Sequence, residues 1–361
     1  MARLIYGVSG EGSGHSSRAR EMITHLEAAG HTVKVASYDR GYRNLSPDFD
    51  VLEIEGLHIA SVENKVSVVE TFAGNLLRLS DGIRKLNELR ALFHEFEPDC
   101  VITDFEPMTA YLADHYDLPL ITIDNQHRIR YMKYPCPGFL KREALLTETV
   151  IRAMVPRPDV SLVTTFYFGE VKNDRTMLFP PILRGAIFDL EPSEDDLILV
   201  YCTHAYQSLL RHLPGFPRER FVVYGFDRSG TEGNAEFKPF SPDGFLADLA
   251  RCKAVVATAG FTLMTEALHL GKPYLALPMR RQFEQELNAI MLAELGYGKN
   301  GRKPTAETIG DFLYRLPEFR ERLGRYATGD NGQILAKLDE LLAEDCSLAR
   351  RYHLGRSRPE S

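Results

Sequence analysis

Short apolar runs alternate with stretches of helical spacing along most of the chain, and this alternation sets the first expectation of fold. Leu4–Val8 is an apolar run that ends in glycines and predicts a buried strand. From Ser17 to Ala29 the positions Ala19, Met22, Ile23 and Leu26 recur at helical spacing, with Gly30 placed to cap the helix. Thr32–Ala36 predicts the next strand, so the chain opens with a βαβ unit whose crossover should be right-handed. A long amphipathic stretch runs from about Glu63 to Phe96, with a break expected at Ser80-Asp81-Gly82. Cys100–Thr103 and Leu120–Ile123 read as strands leading into Asp104 and Asp124, with a helix over Met108–Tyr116 between them.

The texture changes from Phe179 to Asp196, where Pro180-Pro181 and then Glu191-Pro192-Ser193-Glu194-Asp195-Asp196 interrupt the periodicity. A second series follows, with strands at Leu197–Cys202, Phe221–Tyr224, Ala254–Ala257 and Tyr274–Leu277. Its helices include Gly244–Ala250, Thr262–Leu270 and Phe283–Leu295, and the last ten residues or so are basic, polar and expected to fray. Strands alternating with helices imply parallel sheets covered on both faces. The expected class is therefore α/β, with two doubly wound, Rossmann-like domains facing across a cleft. Their boundaries fall at 1–185 and 186–361, and the last helix is free to pack back on the first domain.

Composition narrows the function more than the fold. A chain of 361 residues exceeds what one core usually serves, and 44% hydrophobic with 26% charged residues is ordinary for a soluble globular protein. The net charge of −7 leaves no excess of cations to displace counterions, which argues against wholesale nucleic-acid binding. The five cysteines (Cys100, Cys136, Cys202, Cys252, Cys346) are scattered and form no CxxC pair, so a reducing compartment fits better than a disulfide framework or a zinc site. The opening apolar run is too short for a secretory leader, and no stretch has the length of a membrane span. The expectation is a cytoplasmic protein, with peripheral contact at an inner membrane face as its one variant.

Chemistry is concentrated at two loops. Gly7-Val8-Ser9-Gly10-Glu11-Gly12-Ser13-Gly14-His15 joins the first strand to the first helix, with four glycines in eight residues. At that place in a doubly wound sheet, glycines let a ligand approach the backbone at a helix N-terminus. A flexible turn with a surface histidine is the plain alternative. A dinucleotide fingerprint fails, because Ser17 stands where the third glycine should pack, although Asp39 lies near the end of the second strand. The loop instead presents His15, whose imidazole can take a proton from a hydroxyl near neutral pH.

The segment Ala257–Pro273 is the more informative one. Its strand ends in Ala259-Gly260, and the amides of Phe261 and Thr262 then open a helix suited to a diphosphate. Glu266, about one turn on, can bind a vicinal diol, while Gly271 caps the helix and Pro273 forbids its continuation. After Pro278, Glu284 and Gln285 open another helix. Each of Glu266, Glu284 and Gln285 also fits an ordinary helix-forming role that favours the macrodipole.

Taken together, Ala259-Gly260, Thr265-Glu266-Ala267-Leu268, Gly271-Lys272-Pro273, Pro278, Gln282, Glu284-Gln285 and Asn288-Ala289 resemble the donor-binding signature of GT-B glycosyltransferases. The nearest in form are the peptidoglycan N-acetylglucosaminyltransferase and the UDP-glucuronosyl/glucosyltransferases, whose N-terminal glycine–histidine loop Gly14-His15 is similar to. The resemblance implies a nucleotide-sugar donor, in first place a UDP-sugar, with no cofactor and no metal. Glu266 would hold the ribose, the amides around Ala259–Thr262 the diphosphate, and Glu284 and Gln285 the sugar. His15 would deprotonate the acceptor hydroxyl for inverting attack, oriented by Asp104 or, second, by Asp124. Asp104 fits equally as a capping residue ahead of Pro107. The absence of tryptophan departs from the plant-type signature, and the diphosphate turn reads Ala-Gly where a Gly-Gly pair is usual.

Two other readings share the fold: a nucleotide-sugar hydrolase or 2-epimerase using His15 on water or on the donor itself, and a non-catalytic nucleotide-sugar binder. The acceptor, a small molecule or a lipid-linked one, is expected on the N-domain beside Gln126–Tyr134, which mixes aromatics and cations. The following stretch Phe139–Val155 carries Leu140, Leu145, Leu146, Val150, Ile151 and Met154 with Lys141, Arg142 and Arg152. It reads first as a core-facing helix with a solvated basic edge and second as a helix resting on an anionic membrane.

Overall fold

A computed structural model describes residues 1–56, 61–62, 65–66, 79–202, 206–327 and 329–355. The chain forms two compact units, one of Met1–Ser61, Ser67–Arg184 and Gly329–Ser361, the other of Val62–Val66 and Gly185–Thr328.

The first unit is built on β1 (Arg3–Val8), β2 (Thr32–Ser37), β3 (Val51–Glu53), β6 (Cys100–Asp104), β7 (Leu120–Asp124), β8 (Val160–Thr164) and β9 (Thr176–Phe179); the two-residue strands β4 (Ser61–Val62) and β5 (Lys65–Val66) pair only with each other. The seven strands lie in the order β3-β2-β1-β6-β7-β8-β9, all parallel. Chain order reverses between β1 and β6, which is where an open α/β sheet binds ligands outside its carboxyl ends. Around the sheet run α1 (Ser13–Ala28), α2 (Asp39–Leu45), α3 (Leu79–Phe96), α4 (Pro107–His115), α5 (His127–Tyr131) and α6 (Lys141–Met154). Helix α3 passes through Ser80–Gly82, so the break expected there is corrected, and the rest of the expected amphipathic stretch lies mostly outside the described residues.

Helix α1 buries Ala19, Met22, Ile23 and Leu26 against Leu4, Tyr6 and Val8 of β1. It stops where Gly30 takes φ +86°, with Gly30 N–H donating to Glu27 O and His31 N–H to Leu26 O. That pair of bonds is a Schellman closure, and a residue with a Cβ would be strained at its left-handed position.

The second unit holds β10 (Ile198–Tyr201), β11 (Phe221–Tyr224), β12 (Gly230–Glu232), β13 (Ala235–Phe237), β14 (Ala254–Thr258), β15 (Tyr274–Leu277) and β16 (Gly298–Asn300) in the order β12-β13-β11-β10-β14-β15-β16. Only the β12–β13 pair at the edge is antiparallel. Its helices are α7 (Gly185–Phe188), α8 (Gln207–Leu210), α9 (Pro242–Arg251), α10 (Phe261–His269), α11 (Phe283–Leu295), α12 (Ala306–Tyr314) and α13 (Leu316–Leu323). Ile198, Val200, Val223, Val256 and Leu275 of the sheet pack with Ile309, Phe312 and Phe319 to make its core, at roughly 1.5–3 kcal/mol for each large side chain taken out of water.

The chain then returns to the first unit. Helix α14 (Gly332–Leu354), broken by a kink at Ala343–Cys346, sends Ile334, Leu338, Leu341 and Leu342 into the same core as Leu4, Tyr6 and Ile23. From Gly329 onward the chain belongs with the first unit, where the apolar stripe of α14 is buried.

Candidate active site

In the first unit, Val8 pairs directly with Asp104 across the point where strand order reverses. The loop from β1 turns into α1 there, and Ser9 N–H donates to the carbonyl of Asp104 at 3.0 Å. The glycines of this loop have mostly structural reasons. A Cβ at Gly7 would fall 2.0 Å from Thr109 Oγ1, one at Gly10 would fall 2.2 Å from Tyr38 O, and Gly12 turns into the helix with φ +84°. The reading that the glycines exist to admit a ligand is thus corrected for Gly7 and Gly10, which close packing explains. Gly14 lies partly exposed in the first turn of α1.

His15, also in that first turn, has a side chain 11% exposed, whereas that of Asp104 is fully buried. His15 Nδ1 stands 2.6 Å from Asp104 Oδ1. Arg18, one turn further along α1, grips the same carboxylate: Nε donates to Oδ2 and Nη2 to Oδ1, both at 2.6 Å. Its remaining arm, Nη1, donates to Asn125 Oδ1 at 2.8 Å. Arg18 Nη2 also lies 2.9 Å from His15 Nδ1. An ionised carboxylate can only accept, so Nδ1 must carry the proton in its short bond to Asp104. In the neutral ring the lone pair is then on Nε2, and no described residue hydrogen-bonds that atom. Burial opposes the charge on Arg18, but the adjacent Asp104 carboxylate outweighs that and raises its pKa above the usual guanidinium value.

Asp124, the other aspartate considered for His15, is committed elsewhere. Its Oδ2 accepts from His127 Nδ1 at 2.7 Å and its Oδ1 from the His127 amide at 2.8 Å. Burial pushes its carboxyl up, but the charge and hydrogen bonds of His127 prevail and hold it below the ordinary carboxylate value. The end of each strand, β6 and β7, thus carries one aspartate and one histidine partner. Capping of α4 falls to Glu106, which accepts from Met108 and Thr109 amides, so the capping alternative for Asp104 is not realised.

In the second unit, β14 leads through Ala259 and Gly260 into α10. The N-cap is Gly260, which has no side chain to cap the helix, and the first turn opens with Phe261 and Thr262. Gly260 has φ −67°, and a Cβ added to it would meet nothing within 4 Å. Asn288, fully buried in α11, donates from Nδ2 to Ala259 O at 2.8 Å and so pins the turn. Glu266 is 1% exposed. Glu284 is half-buried at the start of α11, whereas Gln285 is buried and its Oε1 accepts from Met279 N–H at 3.1 Å. Glu286 beside them is ion-paired with Arg302 at 3.0 Å. Helix α10 ends with Gly271 at φ +70°, closed by Gly271 N–H to Leu268 O and Lys272 N–H to Ala267 O.

The sequence from 2 to 317 matches the family described as Glycosyl transferase family 1. The chain belongs to that family, and it is a glycosyltransferase. An uncharacterised glycosyltransferase of Methanosarcina acetivorans is 23% identical to it over 336 residues, which cover 82% of this chain and 85% of the relative. A second, from Methanosarcina mazei, is 22% identical over 328 residues, with the same two coverages of 82% and 85%. Among solved structures, the glycotransferase of kitacinnamycin superposes with a TM-score of 0.69 at 18% identity, covering 94% of this chain and 98% of that one. CalG4, the calicheamicin glycosyltransferase, gives 0.67 at 16% identity with coverages of 95% and 99%. The spinosyn rhamnosyltransferase SpnG complexed with thymidine diphosphate gives 0.60 at 14%, covering 97% and 99%. These likenesses show the GT-B fold, with its two Rossmann-like domains.

Sequence reasoning missed three residues of the candidate site: Arg18, Asn125 in its role as Arg18's partner, and Asn288 in its role at Ala259. Arg18 was legible, since a residue three after His15 shares its helix face. Helix α6 also departs from expectation. Ile151 and Met154 face inward, but Leu145, Leu146 and Val150 are 66%, 56% and 46% exposed, and Phe139 just before the helix is 64% exposed. The core-facing reading of that helix is corrected for these residues. Lys141, Arg142 and Arg152 share the exposed face, and every acid of α6 is at least partly buried. Among the described residues no helix is long and apolar enough to cross a membrane.

Proposed function

We propose that this glycosyltransferase moves a sugar from a nucleotide-diphosphate donor, a UDP-sugar in first place, to an acceptor hydroxyl with inversion and without a metal ion. The observation that carries the reading is the His15–Asp104 pair, which leaves Nε2 as a free base in a side chain that still reaches solvent. Nε2 takes the acceptor hydroxyl proton as the oxygen attacks the anomeric carbon, and the bond to the leaving diphosphate breaks on the opposite side. Asp104 stabilises the imidazolium formed. The uncapped first turn of α10 would receive the diphosphate, with its amides and dipole in place of a cation. Nothing in the packing requires Gly260 to lack a side chain, which fits a turn kept open for that group. Glu266 would take the ribose diol. Glu284 and the amide of Gln285 would take sugar hydroxyls, since the Gln285 carbonyl is occupied by Met279.

SpnG is complexed with thymidine diphosphate, so a pyrimidine nucleoside diphosphate is the class to test. A panel of UDP- and TDP-sugars with hydroxyl acceptors, assayed with EDTA present, should yield a product of inverted anomeric configuration. Sugar released or isomerised without an acceptor, retained configuration, or activity that EDTA abolishes and magnesium restores would contradict the proposal. For the acceptor, the exposed apolar and basic face of α6 favours a lipid-linked hydroxyl presented at an anionic bilayer. Vesicles containing phosphatidylglycerol should bind the protein, and Leu145→Glu with Leu146→Glu should abolish that binding. Equal binding by the double variant would remove the face from the acceptor's path.

A further inference from the structure

The carboxylate behind His15 is shared. In a simple histidine–aspartate pair the carboxylate keeps its full charge, which favours the protonated ring and ties up the base at mildly acidic pH. Here the guanidinium of Arg18 occupies both oxygens of Asp104 and stands 2.9 Å from the ring nitrogen itself. All three side chains are buried or nearly so, with Arg18 only 6% exposed, so solvent screens little of this interaction. With a neutral imidazole the cluster of His15, Asp104 and Arg18 sums to zero charge. Protonating His15 would bring a second cation within hydrogen-bond distance of the first.

We infer that Arg18 is a positioning residue for His15: its side-on fork fixes the Asp104 carboxylate so that it accepts Nδ1–H and leaves Nε2 as the ring's acceptor atom. Arg18 touches the positioning carboxylate and is not assigned any contact with substrate. The fork geometry is what lysine lacks, because a single ammonium cannot hold both oxygens in one plane. Asn125 receives the third arm of the guanidinium and so fixes its plane against the end of β7.

Other groups around the cluster do not compete for this role. Tyr6 on β1 faces Asp104 and Arg18, and burial first, then the Asp104 charge, pushes its phenol well above the ordinary value, so it stays neutral. Asp124 adds negative charge near Arg18, but its own carboxylate is bonded to His127. The inference rests on the reading of His15 as the base only for its catalytic consequence; control of His15 by Arg18 stands apart from it.

The test follows the His15 ring directly, by NMR of 13C,15N-histidine-labelled protein, with His15→Ala used to assign the signal. The wild-type ring should show the Nδ1–H tautomer. In Arg18→Gln the Nδ1–H tautomer population should fall, because the carboxylate loses the fork that holds it. In Arg18→Lys, which keeps the charge but not the fork, it should fall as well. Circular dichroism confirms folding of each variant; should Arg18→Gln not fold, the tautomer in Arg18→Lys decides alone. An unchanged tautomer in either folded variant overturns the inference. Turnover of the same variants separates the two claims. A tautomer that shifts together with a loss of kcat supports both, whereas one that shifts while kcat stays put upholds Arg18's control and removes His15 as the base.

Discussion

The side-chain amide of Asn288 donates to the carbonyl oxygen of Ala259 across 29 residues of sequence, and both residues are fully buried. The bond ties the second turn of α11 to the turn that opens α10, so one clamp links the elements proposed to hold the diphosphate and the sugar. Asn288→Ala leaves a buried carbonyl without this donor and should cost about 1–3 kcal/mol of stability in urea denaturation. Nucleotide affinity should fall with it, because the first-turn amides lose their fixed direction. A variant as stable as wild type, with unchanged affinity, would show that the turn does not depend on this bond.

Glu266 is nearly inaccessible at 1% exposure, so the test uses the isosteric Glu266→Gln, which keeps the shape and removes the charge. Loss of a charge-assisted contact to the ribose should weaken UDP binding by roughly 1.5–3 kcal/mol. Titration calorimetry reads this directly. Equal affinity in the two proteins would take Glu266 out of the nucleotide site.

Asp124 contributes an acid dependence to stability. Against burial, its bonds to His127 hold its folded carboxyl below the ordinary value. A carboxyl depressed in the folded state contributes stability that is present above the unfolded carboxylate range and is lost as the pH falls through the folded value. The urea midpoint should therefore drop as the pH falls below about 4, and Asp124→Asn should flatten that acid dependence while costing about 1.5–3 kcal/mol at neutral pH. The same acid slope in both proteins would place the dependence on other carboxyls.

The β1 and α1 elements were legible because each carries an undiluted signal: an unbroken apolar run ending in glycine, then buried positions at 19, 22, 23 and 26. The strand Gly230–Glu232 was not, since all three of its residues are exposed and pairing alone defines it. His15 and Asp104 could each be named as functional residues, yet only the β1–β6 pairing, which sets Val8 opposite Asp104, chooses Asp104 over Asp124 as its partner. Helix α6 misled because its apolar residues cover more than one face, and periodicity does not say which of two apolar faces meets the core. Asn288 lay within the recognised motif, but its partner is brought to it only by the packing of two helices onto one sheet.

The proposed transfer depends on His15 as the acceptor's base, and His15→Ala probes that role when turnover and donor affinity are measured on the same protein. Nε2 has no other task among the described residues, and the proposed ribose and diphosphate contacts lie in the second unit. Turnover should fall by roughly 10²–10⁴-fold, the usual contribution of a positioned proton acceptor, with donor affinity and melting temperature close to wild type. The acidic limb of the wild-type pH–rate profile should vanish in the variant. Turnover near wild type, or a loss explained entirely by weaker donor binding, would contradict the central claim.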